Sequence, residues 1–410
     1  MKVLYLVFEA LLGGHVMSAY TISRRMSGMG YGCVFAGGRG AMTDEIEKLM
    51  PFEEVHIPLY HHGRQSYFTW ESFQAIGRIR EIIKKHDIDL IHAFDSRSYV
   101  HAYLAALFEG KPILCTLCGG QDPYYNLPVT SSMVVFSQEQ KMKLVQKYRW
   151  SGNRVVINMA RMDLDELYDP GNAMPDEEWA ALGLSLRHPV VVTISSFDSS
   201  KDKMIRQLRQ AIEGVVASGV DCQFALVGGG KGDLYQETVA WAAALNQSSE
   251  YPRVVLTGPQ KRAFRLLKRA KVVIGSGRSA FEGMCYGVPT MIVGEYGYAG
   301  DVCAADIEGI AYYNFSGRNL SAERPAERIG ERLVELLSDP GQCREVGEFG
   351  RQYLLDNLDV VQGCRRYSAL YQEALGDTLG KARKLGSFAK CQAPIWLDNF
   401  AHDIRQFLKK

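Results

Sequence analysis

The sequence predicts an α/β protein of two doubly wound parallel sheets facing a central cleft. Three observations predict it. Short apolar runs alternate with stretches of helical periodicity along most of the chain. Such alternation marks strand–helix–strand units, with helices covering both faces of a parallel sheet. The alternation pauses at a polar stretch with proline and glycine, Tyr168-Asp-Pro-Gly-Asn-Ala-Met-Pro175, and then begins again. Finally, 410 residues, 47% hydrophobic and 23% charged, suffice for two sizeable domains.

Taken in order, the first half offers strands at 3–8, 33–36, 89–92, 112–116, 133–136 and 154–157. Their apolar residues run on with little alternation, as expected of strands buried on both faces. Helical periodicity fills 72–85 and 97–108. The second half offers strands at 190–194, 223–227, 253–257, 271–274 and 290–293, with helices at 204–217, 234–245 and 261–268. The expected domains are 1–167, a link over 168–185, then 186–375, and a helical tail over 376–410 that packs back on the body. In the tail, basic Lys381-Ala-Arg-Lys384 precedes apolar residues at helical spacing over 395–408. A terminal helix docked on the protein is expected there, in preference to one lying on a membrane, because its polar face carries both signs of charge.

Composition excludes several classes. A formal net charge of +1 gives no global electrostatic argument for nucleic acid. No apolar run reaches the roughly 18 residues of a membrane span. Glu9 interrupts the apolar N-terminus, which reads as a first core strand and not as a signal peptide. Nine dispersed cysteines suggest reduced thiols in a cytoplasmic protein. Cys115 and Cys118 form the only C-x-x-C, with no second pair at zinc spacing, so no metal site is expected.

Five places could carry chemistry. Gly275 and Gly277 follow an apolar strand and open a helix, in Ile274-Gly-Ser-Gly-Arg-Ser-Ala-Phe-Glu282. Free N–H groups at a helix start favour an anion such as a diphosphate. Arg278 and Ser279 lie in that turn. Glu282, about one and a half turns on, suits a ribose diol. Gly13 and Gly14 make a similar strand-to-helix turn, with His15 beside them. Lys201 follows the strand that opens the second half. Gly228, Gly229 and Gly230 follow the next strand in a flexible turn that lets a ligand approach the backbone closely. His92 at the end of one first-half strand and Asp122 past the next are, with His15, the candidate catalytic residues.

In order along roughly residues 1–375, these features resemble the GT-B glycosyltransferases, especially glycosyltransferase family 4. The family pattern at the donor site is Glu, Gly-Phe-Gly, four mostly apolar residues, a second Glu, and a small-residue helix ending in Gly-x-Pro. Gly275, Gly277, Glu282, Gly287 and Pro289 match it. Ile274 stands at the first Glu and Ser276 at the Phe. The resemblance implies that Glu282 holds the donor ribose, while the sugar contact of the first Glu does not carry over to Ile274. It implies that Lys201, with Lys203 as a fallback, reaches the donor diphosphate. Ser196 replaces the family's Arg, and Arg278 is the expected substitute for that charge. Gly13 and Gly14 match the loop beneath the diphosphate. Cys118 stands where many relatives have a cleft-facing His.

The resemblance thus implies two Rossmann-like domains and a metal-independent transferase without cofactor. It would move a sugar from a nucleoside diphosphate donor, a UDP-sugar being favoured, to the hydroxyl of a glycan, lipid-linked or protein acceptor. Retention of anomeric configuration and a role in surface glycan synthesis, at the inner face of a membrane, are the family expectation. Two competing readings are a non-hydrolysing sugar-nucleotide epimerase and a catalytically degenerate sugar-nucleotide-binding protein.

Overall fold

The computed structural model describes residues 1–58, 69–119, 127–230, 232–294, 296–319, 328–377 and 379–407. The chain divides into two compact units, Met1–Arg161 with Val360–Lys410, and Met162–Asp359.

The first unit holds seven strands, β1 (Lys2–Glu9), β2 (Gly32–Gly38), β3 (Phe52–Glu54), β4 (Leu90–Ala93), β5 (Ile113–Leu117), β6 (Met133–Val135) and β7 (Val155–Ile157). They pair in parallel in the order β3-β2-β1-β4-β5-β6-β7. Alternate residues of β1 enter opposite cores, Leu4 and Leu6 on one face, Val3, Tyr5 and Val7 on the other. Helices Trp70–His86 and Ser96–Glu109 cover the first face, through Ile76, Ile79, Ile83, Tyr99 and Tyr103. Helices Gly14–Gly28 and Val360–Leu375 cover the second.

The second unit holds β8 (Val190–Ile194), β9 (Gln223–Val227), β10 (Val254–Gly258), β11 (Val272–Gly275), β12 (Thr290–Gly294) and β13 (Gly297–Asp301), in the order β10-β9-β8-β11-β12-β13. All pairs are parallel except β12 with β13. In each sheet the order reverses once, between β1 and β4 and between β8 and β11. Open α/β sheets bind ligands beyond the carboxyl ends of the strands at such a reversal.

All eleven strands expected from sequence are present; β3 and β13 are additional. The first is a three-residue edge strand, and the second is glycine-rich, Gly-Tyr-Ala-Gly-Asp, so neither carries a strand pattern. Two boundaries differ from expectation. Residues 168–185 are no free link: Met174, Trp179 and Leu184 are buried in the second unit's core, and Arg265 binds Glu178 through both guanidinium nitrogens at 2.7 Å. The second unit ends at Asp359, not at 375. Helix Val360–Leu375 carries Val360, Cys364, Tyr367 and Tyr371 on one apolar face, and that face is buried in the first unit. The tail helix begins at Lys381 and runs to Phe407, longer than the 395–408 expected.

Candidate functional site

In the second unit the loops after β8, β9 and β10 are tied together by their backbones. Ser195 N–H donates to Val227 O at 3.0 Å, Phe197 N–H to Gly229 O at 3.1 Å, and Gly228 N–H to Gly258 O at 3.0 Å. Contacts this close leave no room for side chains. Gly228 has φ +144°, and a Cβ there would lie 1.8 Å from Ser195 O; one on Gly230 would lie 2.2 Å from Phe197 O. The sequence reading gave these glycines to a ligand. The structure shows that loop packing alone already requires Gly228 and Gly230.

Beyond Phe197, Asp198 organises the loop. It accepts hydrogen bonds from Ser196 Oγ at 2.6 Å and from Ser200 N–H at 2.9 Å, and these bonds hold its carboxyl below the usual range. Ser196, the replacement for the expected Arg, therefore supports Asp198, whose carboxylate caps the turn. Lys201 ends the short helical turn Ser199–Lys201, half-buried, close enough to Asp198 to favour its charge. Lys203 is exposed and lies 6.0 Å from the ring of Tyr296.

The turn after β11 is the most built feature of this sheet edge. Gly277 has φ +58° and ψ −124°, a conformation that only glycine adopts readily. Its N–H donates to Phe315 O at 2.6 Å. Helix Arg278–Cys285 starts there without a side-chain cap, so its first amides remain free to meet an anion. Ser279 Oγ turns back to Ser276 O at 3.1 Å, and a Cβ on Gly275 would lie 2.6 Å from that Oγ.

Arg278 and Glu282 were expected to act on different parts of a ligand, and here they hold each other. Arg278 Nε donates to Glu282 Oε1 at 2.9 Å, one helical turn apart. Burial pushes the Glu282 carboxyl up, and the Arg278 guanidinium opposes that shift. One terminal nitrogen of Arg278 is buried with no partner among the described residues. A buried charged donor left open is costly, and an anion at the helix start would satisfy it. The pairing was legible in advance, since i and i+4 neighbours of opposite charge meet on a helix. Ile274, at the position of the family's first Glu, is fully buried in the core with Val191 and Met291.

In the first unit, Gly13 is extended and precedes helix Gly14–Gly28, whose first helical bond runs from Met17 N–H to Gly13 O at 2.9 Å. No side chain caps that start either. His15 is half-buried, its ring 3.6 Å from where a Gly13 Cβ would stand. Asp95 ties this edge together. It accepts Phe8 N–H at 2.8 Å from β1 and the N–H groups of Arg97 and Ser98 at 3.0 and 2.8 Å. It thereby caps helix Ser96–Glu109 while fixing the end of β1.

His92 is not a site residue. It is completely buried, with Nδ1 2.7 Å from Tyr371 Oη and Nε2 2.7 Å from Thr116 Oγ1. Tyr371 Oη also meets Tyr5 Oη at 3.2 Å, and Thr116 meets Tyr367 Oη at 3.1 Å. Burial drives the imidazole pKa down to about 3, so it stays neutral and has both nitrogens engaged. Cys118 is half-buried, and burial raises its thiol. Asp122 lies outside the described residues. Among the described residues, no three His, Cys, Asp or Glu side chains are grouped to hold a metal, and no helix is long and apolar enough to cross a membrane.

Residues 12–157 match the family model described as Glycosyltransferase Family 4. No curated protein matches the chain in sequence. Solved structures match along nearly its whole length. A glycosyltransferase from Rickettsia africae superposes with a TM-score of 0.70 at 17% identity, covering 92% of this chain and 99% of the other. HepE from Anabaena, in complex with UDP, gives 0.67 at 14% identity, covering 91% and 100%. A putative UDP-N-acetylglucosamine 2-epimerase from Listeria monocytogenes gives 0.61 at 13% identity, covering 92% and 97%. The chain has the GT-B fold, and its residues 12–157 are similar to glycosyltransferase family 4.

Proposed function

We propose that this protein is a glycosyltransferase that takes a nucleoside diphosphate sugar, a UDP-sugar foremost, and transfers the sugar to an acceptor hydroxyl. The observation that carries this reading is the turn after β11. It brings together a glycine-only backbone, uncapped helix amides and a half-buried Arg278 with one buried terminal nitrogen left open among the described residues. Such a site suits an anion, and the similarity to HepE, solved with UDP, supports a uridine diphosphate in that role.

In this reading the diphosphate meets the Arg278 guanidinium, the first amides of helix Arg278–Cys285, and Lys201. The ribose diol meets Glu282. Negative charge grows on the diphosphate as the glycosidic bond breaks, so fixed donors there stabilise the transition state more than the ground state. The chemistry needs no metal, and turnover is expected to survive EDTA. Loss of turnover on chelation, restored by Mg²⁺ or Mn²⁺, would contradict that.

The similarity to an epimerase motivates a second reading on the same fold. One experiment separates them. The protein is incubated with UDP-sugars, with and without a panel of sugar and lipid-linked acceptors, and followed by UDP release and by NMR of the sugar. Acceptor-dependent UDP release is expected. An epimerised sugar without acceptor would favour the second reading, and calorimetry showing no UDP binding would exclude both.

A further inference from the structure

Helix Lys381–Phe407 is docked along one face and bare along the opposite one. Phe388, Cys391, Gln392 and Ile395 are buried. Ser387 Oγ accepts Val129 N–H at 2.9 Å, and Phe388 stacks on Tyr103 with ring centroids 6.0 Å apart. On the other side, Arg383, Lys390, Leu397 and Ile404 follow one another at seven-residue intervals. Seven residues are almost two turns, so the four lie on one line that drifts only about 20° per step. At about 100° per residue that line stands roughly opposite Phe388. All four side chains are exposed, Leu397 at 69% and Ile404 at 43%. From Leu397 onward every described side chain of the helix is exposed.

This outer line is basic in its first half and apolar in its second. The charge of the whole segment is one-sided as well. Seven basic and two acidic residues fall within 381–410, a net of +5 in a chain of net +1, so the preceding 380 residues carry −4. The two-signed polar face expected from sequence describes only the last turns, where Asp398 and Asp403 lie. At the root of the helix Lys111, Lys381 and Lys384 line a small cavity with Asp377, which pairs with Lys384 at 3.0 Å.

We propose that the outer face of this helix binds the surface of a bilayer containing anionic phospholipid. Arg383 and Lys390 would meet headgroup phosphates, and Leu397 and Ile404 would enter the boundary with the acyl chains. A net charge of +5 opposes pairing of this helix with a second copy of itself. A nucleic acid would leave the exposed leucine and isoleucine unused.

The test is co-sedimentation of the full chain with phosphatidylcholine vesicles, with and without phosphatidylglycerol, at low and high salt. Binding is expected only with phosphatidylglycerol, and salt should weaken it. Arg383→Glu/Lys390→Glu is expected to lower vesicle affinity about 30-fold or more. Leu397→Glu/Ile404→Glu should lower it comparably. All four side chains are exposed, so both variants should keep the wild-type circular dichroism and Tm. Equal binding to phosphatidylcholine alone, or unchanged binding in both variants, overturns the proposal. So does a concentration-dependent dimer, abolished by Leu397→Glu/Ile404→Glu, from a chain that ignores vesicles. The assay contains no sugar nucleotide, so its outcome is independent of the glycosyltransferase reading.

Discussion

The two units carry the same kind of sheet and finish its carboxyl edge differently. In the first, the edge is fixed by a side chain: Asp95 ties the end of β1 to the start of the next helix. In the second, backbone meets backbone. The loops after β8, β9 and β10 close on one another through glycines, and at the turn after β11 a half-buried Arg278 pairs with Glu282. Side-chain caps use up their polar groups in holding the fold. At the uncapped start of helix Arg278–Cys285 the second edge keeps an arginine nitrogen without a partner among the described residues, which supports the anion site proposed there.

Changing a glycine should break this contrast most severely. Gly228→Ala places a Cβ 1.8 Å from Ser195 O, against backbone that cannot swing aside. Thermal unfolding should show a loss of several kcal/mol, since overpacking and a forced positive φ each cost about 1–3 kcal/mol. UDP binding should vanish with it. A wild-type Tm would mean that the loops separate freely.

Next comes Arg278→Ala. With the preorganised guanidinium gone, kcat/KM should fall about 100- to 1000-fold, while affinity for uridine itself changes little. Steady-state kinetics beside nucleoside titration checks this. Near-wild-type kinetics would make Arg278 a purely structural partner of Glu282. Glu282→Gln should act more weakly and on binding. Hydrogen bonds to a charged group contribute about 1.5–3 kcal/mol, so UDP affinity should drop by about 10- to 100-fold in calorimetry.

The contrast also predicts a pH effect from the first unit. His92 has a pKa of about 3 when folded and about 6.5 when unfolded. Its folded value is depressed, so its contribution is complete above pH 6.5 and is lost as pH falls toward 3. At pH 5 the loss should be about 2 kcal/mol. Denaturant titrations from pH 7 to pH 4 should show this slope, and His92→Gln should flatten it. A slope unchanged in that variant would assign the effect to other groups. The smallest effect belongs to Gly13→Ala. Gly13 is extended, and a Cβ there meets only the His15 ring at an ordinary 3.6 Å, so stability should change by less than about 0.5 kcal/mol.

Most strands were legible because a parallel strand buried on both faces is a plain apolar run, as in Val190–Ile194. The edge strands β3 and β13 escaped because one is three residues long and the other is largely glycine. At the site, spacing located the turn after β11 correctly, since strand, glycines and helix are all local. Contacts distant in sequence were not legible. Nothing near His92 reveals that Tyr371 waits 279 positions later to take its Nδ1. Nothing near Gly228 reveals that Ser195 O lies against it. Arg278 and Glu282 are the exception, because a pair four residues apart on a helix is local.

The return of helix Val360–Leu375 to the first unit bears on how the protein is made. The second unit, Met162–Asp359, is contiguous and is complete once Asp359 has left the ribosome. The first unit begins earlier and finishes later. Until Tyr367 and Tyr371 emerge, helix Gly14–Gly28 alone covers the core face around Tyr5 and Phe35, and the His92–Thr116 pair lacks its two tyrosine partners. A nascent chain stalled before residue 360 would therefore show a folded second unit behind an unfinished first one. The order of completion reverses the order of synthesis, and the first unit is the one that depends on protection from aggregation during translation.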